Sequence, residues 1–157
     1  MGYIVVIPAR YKSTRLKGKP LIDLNGVPMI IRTYRQCLKA VSSDLVYVAT
    51  DNERIKKVCE KEGAKVVMTS NDCLTGTDRV AEVSQKIDVE TYINVQGDEP
   101  LFNPDDLKLL IGEMEKYPNE IITGYCEIDD ESEHKDINIP KVVIRPDGRL
   151  LMLPEHQ

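Results

Sequence analysis

The sequence predicts a three-layer α/β domain built on a mostly parallel sheet, and three observations lead to this prediction. Short apolar runs alternate with stretches of helical periodicity, which is the pattern of successive βαβ units. The chain has 157 residues, 41% of them hydrophobic, which is enough for one core and a single domain over residues 1–157. Polar residues directly follow several of the apolar runs, as they do at the ligand-binding edge of a parallel sheet.

The predicted elements follow one another in a regular order. The strands are short apolar runs bounded by polar or turn residues, at residues 3–7, 45–49, 65–68, 92–95 and 121–126. The helices lie between them, at residues 29–39, 52–61, 77–86 and 104–116. We expect Gly63 to end the second helix and Thr77 to cap the third. An acidic exposed loop over 129–136 and a hairpin formed by 142–145 and 149–153 complete the chain.

The composition argues against several classes of protein. A net charge of -5 and a pI near 5.1 do not suit a general nucleic-acid-binding protein, which would carry a basic face. The sequence has no apolar run near the roughly 20 residues that span a bilayer, and its start lacks the regions of a signal peptide. We therefore expect no membrane contact and a cytoplasmic location.

The cysteines and histidines form no recognisable zinc or catalytic pattern. The sequence has no CxxC pair, so zinc is not expected, and disulfides are disfavoured in a reducing cytosol. Cys37 and Cys59 fall in predicted helices, where a buried thiol packs as a small hydrophobic group. His134 and His156 lie in polar stretches, and we expect both at the surface.

The loop after the first strand concentrates positive charge within an acidic chain, in Arg10, Lys12, Arg15, Lys17 and Lys19. Charge of one sign between low-dielectric walls focuses the field on an anion, so this loop is suited to a polyphosphate. It has neither the P-loop motif nor G-x-G-x-x-G, so side-chain cations would replace glycine amides. The alternative is a solvated basic loop that only joins a strand to a helix.

Three further strand ends carry small, polar or charged residues, at Thr50-Asp51, Thr69-Ser70 and Gln96-Gly97-Asp98. Because the carboxyl ends of parallel strands meet at one edge, we expect these residues and the basic loop to form one continuous rim. Gly97 would let the backbone approach a ligand closely.

Asp98 is the candidate metal ligand. A carboxylate just past a buried strand must be solvated, capping a turn or holding a cation, and Mg²⁺ usually binds one or two carboxylates plus phosphate oxygens. The alternative is that Asp98 or Glu99 caps the turn into the helix that starts at Pro104.

Arg79 is the unusual residue of a helix start, because a cation in the first turn opposes the helix dipole. Its position is easier to explain if it faces an anion or a ligand. The alternative is an ordinary surface arginine.

Four segments, taken together, resemble the 3-deoxy-manno-octulosonate (KDO) cytidylyltransferases, also called CMP-KDO synthetases. They are IPARYKSTRLKGKPL at residues 7–21, ATD at 49–51, TGTDR at 75–79 and NVQGDEP at 94–100. The match is collinear over residues 1 to 151, and NVQGDEP separates the chain from the related sialic-acid cytidylyltransferases. The resemblance implies a Rossmann-like fold of the nucleotide-diphospho-sugar transferase type. It also implies CMP transfer from CTP to an acidic 3-deoxy sugar, for lipopolysaccharide or capsule precursors.

The resemblance also assigns roles to particular residues. Contacts to the triphosphate would come from Arg10, Ser13, Arg15 and Lys19. The cytidine would be framed by Pro8, Ala9 and Gln96, with Arg79 near the base or the sugar. Asp98 would hold Mg²⁺, and the residues assigned to catalysis are Arg15, Lys19 and Asp98.

The sequence departs from the family pattern after residue 151. The resemblance implies that the part which normally supplies much of the sugar site, a second metal-binding aspartate and most of the dimer interface is expected to be missing. A homodimer is compatible with the resemblance, but without the usual interface segment. Two alternatives therefore stay open. Beside CMP transfer to a KDO-type sugar, these are a truncated CTP-binding protein with little catalysis and a nucleotidyltransferase for a different acceptor.

Overall fold

The computed structural model describes residues 2–12 and 16–152. The chain divides into two compact units, Met1–Glu120 and Ile121–Gln157. The strands of the first unit are β1 (Tyr3–Ala9), β2 (Asp23–Leu24), β3 (Val27–Pro28), β4 (Val46–Thr50), β5 (Lys65–Met68) and β6 (Thr91–Asn94). Its α-helices are α1 (Met29–Cys37), α2 (Glu53–Lys61), α3 (Gly76–Ser84) and α4 (Pro104–Lys116). The first four predicted strands and all four predicted helices are thus confirmed, with ends that shift by one or two residues at most.

The main sheet is built around β1. Its strands run parallel in the order β5-β4-β1-β6, while β2 and β3 form a separate antiparallel ribbon. Val5 stands opposite Val46 of β4 on one side and Ile93 of β6 on the other. Every β1 residue from Ile4 to Ala9 is buried, because a central parallel strand is covered on both faces and needs no polar alternation.

Helices cover both faces of this sheet. Val80 and Val83 of α3 pack with Ile4, Val6 and Ala49, which lie on one face. The other face carries α1, which packs against β1 and β4. Since alternate residues of a strand point to opposite faces, one apolar strand serves both helical layers. The predicted three-layer α/β architecture is confirmed.

The helix ends follow local capping chemistry. Gly63 has φ +79°, and the N–H groups of Gly63 and Ala64 donate to the carbonyls of Glu60 and Cys59, which confirms the predicted glycine C-terminus of α2. The prediction that Thr77 caps α3 is wrong. Thr75 is the N-cap, because its hydroxyl accepts the Asp78 N–H at 3.0 Å while Asp78 accepts the Thr75 N–H at 2.8 Å.

The second unit departs from the prediction in two places. Residues 121–126 form no strand, and Ile121 and Tyr125 are exposed, so the run has neither a paired edge nor a covered face. Within the predicted loop, α5 (Glu131–Lys135) forms a short exposed helix, because the Asp130 carboxylate accepts the Ser132 N–H at 2.6 Å and caps it. The predicted hairpin is confirmed as β7 (Val143–Ile144) and β8 (Leu150–Met152).

The two helical cysteines pack as predicted. Cys37 of α1 and Cys59 of α2 are fully buried, and burial raises the pKa of each thiol to about 12.

His134 is exposed as predicted, whereas His156 lies outside the described residues. In the part of the chain that the structure describes, no helix combines the length and the apolar character needed to cross a membrane.

The Glu82 carboxylate joins α3 to the segment after β5. It accepts hydrogen bonds from the Lys86 ammonium and the Ser70 N–H, both at 2.7 Å, and from the Cys73 thiol at 3.2 Å. The Lys86 bond is the largest of the causes that lower the pKa of Glu82 from 4.5 to about 2. Burial and the bond to Glu82 raise the pKa of the Cys73 thiol.

This low pKa predicts that part of the stability depends on pH. Because Glu82 is more acidic in the folded chain than in the unfolded chain, its contribution is complete above about pH 4.5 and is lost as the pH falls through 2. Glu82→Gln should lower the free energy of unfolding by on the order of 1 kcal/mol at pH 7, and by less at each step from pH 4.5 to 2. Urea unfolding at several pH values measures the difference.

Glu60→Gln, at an exposed position of α2, is the matched control and should change stability little at any of these pH values. An effect of Glu82→Gln that stays constant between pH 5 and pH 2 would contradict this role of Glu82.

Candidate active site

A cavity of about 560 Å³ lies at the carboxyl ends of β1 and β6. The ends of these two strands supply much of its lining, through Pro8, Ala9, Gln96, Gly97 and Asp98. The cations that reach it are Arg10, Lys19 and Arg79. The structure therefore brings together all the predicted site residues that it describes. Ser13 and Arg15 lie outside the described residues, and their roles stay predictions.

Sequence reasoning missed several residues of the lining, namely Leu16, Pro20, Met29, Thr75 and Gly76. Gly76 is the informative one, because an added Cβ there would stand 3.2 Å from Pro8 Cγ and 3.4 Å from Gln96 Oε1. The start of α3 therefore packs directly against two residues predicted to frame a ligand. The available signal is the TGTDR segment, which contains Thr75 and Gly76 but in which the sequence marks only Arg79 as facing an anion or a ligand.

The Lys19 ammonium contacts the Asp98 carboxylate at 2.5 Å. Their side chains are 40% and 46% exposed, so the pair faces the cavity rather than the core. An exposed pair of this kind contributes little to stability, and either partner can exchange its contact for a ligand. The alternative was that Asp98 or Glu99 caps the turn into α4. In the structure the Asp98 carboxylate contacts Lys19, and the Asn103 side chain accepts the Asp105 N–H and caps the helix.

Arg79 is not a surface residue, since it is only 1% exposed. Its guanidinium contacts the Asp51 carboxylate at 3.3 Å, and it also donates to the Thr69 hydroxyl and to the Ser70 carbonyl. The expectation that Arg79 faces an anion is confirmed, and that anion is Asp51. Its predicted place near the base or the sugar stays a prediction.

These contacts divide the predicted rim. The residues at the ends of β4 and β5, Thr50-Asp51 and Thr69-Ser70, do not line the cavity. Instead, Asp51, Thr69 and Ser70 contact the Arg79 guanidinium. The loop after β1 and the segment after β6 do line it. The Arg10 side chain extends from the loop after β1 to the Leu74 carbonyl at 2.8 Å, just before α3.

Gly97 is required by packing within the protein. An added Cβ would lie 2.6 Å from the Pro8 carbonyl oxygen and 3.3 Å from Ile30 Cδ1. The Gly97 carbonyl also accepts the buried Thr33 hydroxyl at 3.2 Å. The close approach predicted for Gly97 therefore exists, but its partner in this structure is the end of β1.

The chemistry of the cavity is that of an anion site with one carboxylate. Among the lining residues that the structure describes, the charged ones are Arg10, Lys19, Arg79 and Asp98, and there is neither cysteine nor histidine. Among the residues described, no three His, Cys, Asp or Glu side chains cluster as a metal site, so Asp98 would need oxygens from a ligand to hold a metal. Such an arrangement suits charge neutralisation rather than attack by a protein nucleophile.

Residues 4–157 match a family model described as cytidylyltransferase. The chain belongs to the cytidylyltransferase family. It is 40% identical over 141 residues to 3-deoxy-manno-octulosonate cytidylyltransferase of Escherichia coli, covering 90% of this chain and 57% of that one. It is 42% identical over 148 residues to 8-amino-3,8-dideoxy-manno-octulosonate cytidylyltransferase of Shewanella halifaxensis (strain HAW-EB4), covering 91% and 60%.

A solved structure extends the likeness to the whole fold. The structure of CMP:2-keto-3-deoxy-manno-octonic acid synthetase complexed with CTP matches this chain with a TM-score of 0.91 and 38% identity. The match covers 98% of this chain and 64% of that one. This cytidylyltransferase chain thus spans less than two thirds of the length of these relatives. The predicted resemblance to the KDO cytidylyltransferases and the predicted fold type are confirmed.

The packing of Gly97 against β1 makes a stability prediction. Gly97→Ala should lower the free energy of unfolding by about 1–3 kcal/mol, because the new methyl group meets backbone that cannot move aside without disturbing β1. Gly112→Ala is the matched control, since Gly112 lies within α4 with nothing near an added Cβ. That change should raise stability by up to about 1 kcal/mol.

Chemical denaturation of both variants measures these effects. Equal stability of Gly97→Ala and the unchanged protein would show that the strand ends are less tightly packed than this geometry requires.

Proposed function

We propose that this chain carries the CTP-binding part of a cytidylyltransferase that moves CMP from CTP to the anomeric hydroxyl of a 3-deoxy-octulosonate sugar and releases pyrophosphate. The observation that carries the proposal is the cationic cavity at the ends of β1 and β6, with Asp98 as its carboxylate. Support comes from the 0.91 TM-score to a synthetase complexed with CTP, over 98% of this chain. The names of the relatives support a 3-deoxy-octulosonate as acceptor.

The triphosphate would bind to the loop after β1. Arg10 and Lys19 reach the cavity from the described part of this loop, and both carry donors that suit phosphate oxygens. Arg15 and Ser13 are proposed as further contacts on the strength of the family resemblance. A triphosphate competes well for Lys19, because the ammonium now holds a single exposed carboxylate.

The cytidine would lie where β1 and β6 end. Pro8, Ala9 and Gln96 line this part of the cavity, and Gly76 packs closely against two of them. Since an apolar floor with an amide beside it can both stack on a base and hydrogen-bond its edge, this composition suits a pyrimidine. Arg79 of α3 is buried and belongs to the lining of the cavity, and in this proposal it supports the pocket while lying near the ligand.

The residues present fit a magnesium ion bound together with the nucleotide. The Lys19 ammonium already stands at the Asp98 carboxylate, so a cation is accommodated there, and phosphate oxygens would supply further ligands. Asp98 would hold the ion. When bound, Mg²⁺ would neutralise charge on the phosphates and on the departing pyrophosphate.

The reaction needs positioning and charge neutralisation more than a protein nucleophile. The anomeric hydroxyl of the sugar gives its proton to water, and its oxygen forms a bond to the α-phosphorus. The bond from that phosphorus to the bridging oxygen breaks, and pyrophosphate leaves with the electron pair. In this scheme Arg10 and Lys19 hold the triphosphate so that the leaving group lies in line with the attack. Lys19 also stabilises the negative charge that grows on pyrophosphate.

The names of the relatives point to two candidate acceptor sugars. Relatives of similar identity are named for 3-deoxy-manno-octulosonate and for its 8-amino-3,8-dideoxy counterpart, so both are candidate acceptors. Binding of CTP with little catalysis is the second candidate function, favoured because Asp98 is the one carboxylate among the described residues of the cavity. The cytoplasmic location stays a prediction.

The deciding experiment measures pyrophosphate release from CTP and Mg²⁺ with each of the two sugars and with none, alongside calorimetry of CTP binding. Release that depends on a sugar supports transfer and identifies the acceptor. Binding of CTP without release supports the binding function, and the absence of CTP binding would overturn both.

Lys19→Ala should weaken CTP binding by about tenfold to a hundredfold, the scale of one charge-assisted hydrogen bond, and leave cytidine binding unchanged. Calorimetry with both ligands makes the comparison. Lys108→Ala removes a lysine from an exposed ion pair on α4 and is the matched control. Equal losses for CTP and cytidine would make Lys19 a structural residue.

Asp98→Asn should remove the dependence of CTP binding on Mg²⁺ and abolish any transfer, because the amide cannot hold the ion as a carboxylate does. The fold should survive, since the side chain is half exposed. CTP titrations with Mg²⁺ and with a chelator give the readout, and Asp105→Asn on α4 is the control. An unchanged response of Asp98→Asn to Mg²⁺ would remove the metal assignment.

A further inference from the structure

Tyr11 makes an unusual number of contacts at the start of the basic loop. Its N–H donates to Asp51 Oδ1 at 3.3 Å, and its carbonyl accepts the Gly18 N–H at 2.9 Å. Its hydroxyl accepts from Arg54 Nη1 at 3.0 Å, and the same guanidinium lies 5.5 Å from the ring centroid. Tyr11 therefore contacts Gly18 at the other end of the loop, Asp51 directly after β4, and Arg54 of α2.

Gly18 is adapted to this contact. Its φ is +73°, which favours glycine, and an added Cβ would stand 3.2 Å from the Tyr11 ring at Cε2. Lys19 follows immediately and begins the 3-10 turn Lys19–Leu21, whose first residue carries the ammonium that faces Asp98. The hydrogen bond between the Gly18 N–H and the Tyr11 carbonyl, which closes the loop, therefore holds the residue that directly precedes Lys19.

Asp51 connects Tyr11 to the buried interior through its two carboxylate oxygens, of which Oδ1 accepts the Tyr11 N–H. Its second oxygen, Oδ2, contacts the Arg79 guanidinium at 3.3 Å, and the two side chains are only 6% and 2% exposed. Arg79 is itself fixed by the Thr69 hydroxyl and the Ser70 carbonyl. One oxygen of this buried carboxylate thus contacts Arg79 of α3, which is bonded to the segment after β5, and the other accepts the N–H of Tyr11 near the start of the basic loop.

We propose that Asp51 is a positioning residue for the triphosphate, acting through Tyr11 and Gly18 on Lys19. Asp51 does not line the cavity, so its effect on a ligand would be indirect. The inference rests on the proposed function, because it assumes that Lys19 contacts a triphosphate. It adds an element that the proposed function does not contain, namely a buried ion pair that sets the geometry of the cationic loop.

The competing explanation is that the Asp51–Arg79 pair only stabilises the fold. A purely structural pair would change stability, and its loss would affect every ligand of the cavity alike. A positioning pair predicts a selective loss for ligands that carry the triphosphate, because Pro8, Ala9 and Gln96 stand on strand ends and do not depend on the loop closure.

The first variant is Asp51→Asn. An amide has one acceptor oxygen where the carboxylate has two, so either the Tyr11 N–H or the Arg79 guanidinium must lose its contact with residue 51. We expect CTP binding to weaken about tenfold while cytidine binding stays within about twofold. Glu62→Gln is the matched control, because it also removes a carboxylate from an arginine ion pair, with Arg35 at 2.7 Å, but at an exposed position outside the loop.

The second variant is Gly18→Ala, which opens the closure from its other end and leaves the buried pair intact. The new methyl group meets the Tyr11 ring, and the positive φ is unfavourable for alanine, so we expect the same selective loss of CTP binding. This variant decides the matter if Asp51→Asn does not fold. Calorimetry with CTP and with cytidine on both folded variants is the primary readout.

Limited trypsin digestion provides a readout without any ligand. Lys12 and Lys17 are exposed within the loop, and cleavage after each, followed by mass spectrometry, should be faster in Asp51→Asn and Gly18→Ala than in Glu62→Gln. Selective loss of CTP binding with faster cleavage supports the proposal. Unchanged CTP binding, or equal losses for CTP and cytidine, would overturn it.

The two proposals fail in different ways. If the unchanged protein binds no CTP, the proposed function fails, and equal cleavage rates would then also overturn the loop closure by Asp51. If the unchanged protein binds CTP and both variants bind it equally well, only the positioning role fails.

Discussion

The burial of β1 at the centre of a parallel sheet is the constraint on which the other features depend. Parallel pairing with β4 and β6 puts the carboxyl ends of all three strands at one edge, which creates the cavity. It also explains a proline in a central strand. The β6 ladder extends only to Val6, where the Val6 carbonyl accepts the Val95 N–H, so Pro8 lies past the last bond on that side. Gly97 then fits against the Pro8 carbonyl because it has no side chain.

Two ion pairs lie at this edge of the sheet, and their different burial suits them to different roles. Asp51 and Arg79 are almost inaccessible, and removing one partner would strand a charge in a low-dielectric interior. Such a pair is suited to holding backbone segments in fixed relation. Lys19 and Asp98 face the cavity and are each close to half exposed, so their attraction is screened by water and easily exchanged. The first pair can organise the loop, while the second remains available to an anion and a cation.

Local pattern was sufficient for most of the first unit and insufficient beyond it. Apolar runs and helical periodicity identified the four strands of the main sheet and the four helices, because each of these elements buries a face whose spacing is visible in the sequence. Residues 121–126 have the same apolar character, yet Ile121 and Tyr125 are exposed, since a strand also requires an edge with which to pair. The start of α3 differs from the prediction because of local capping. Thr75 and Asp78 form a reciprocal cap that Thr77 cannot make.

For the candidate site, the sequence by itself determined the available chemistry: the cations of the basic loop, Asp98, and their positions after apolar strands. Strand ends can be recognised locally, and parallel topology brings them to one edge. Only the tertiary structure decided which charges meet, because the partners are distant along the chain. Lys19 and Asp98 are 79 positions apart, Tyr11 and Asp51 40, and Asp51 and Arg79 28. Arg79 could therefore be recognised as needing an anion, whereas its burial against Asp51 depended on how α3 packs on the sheet.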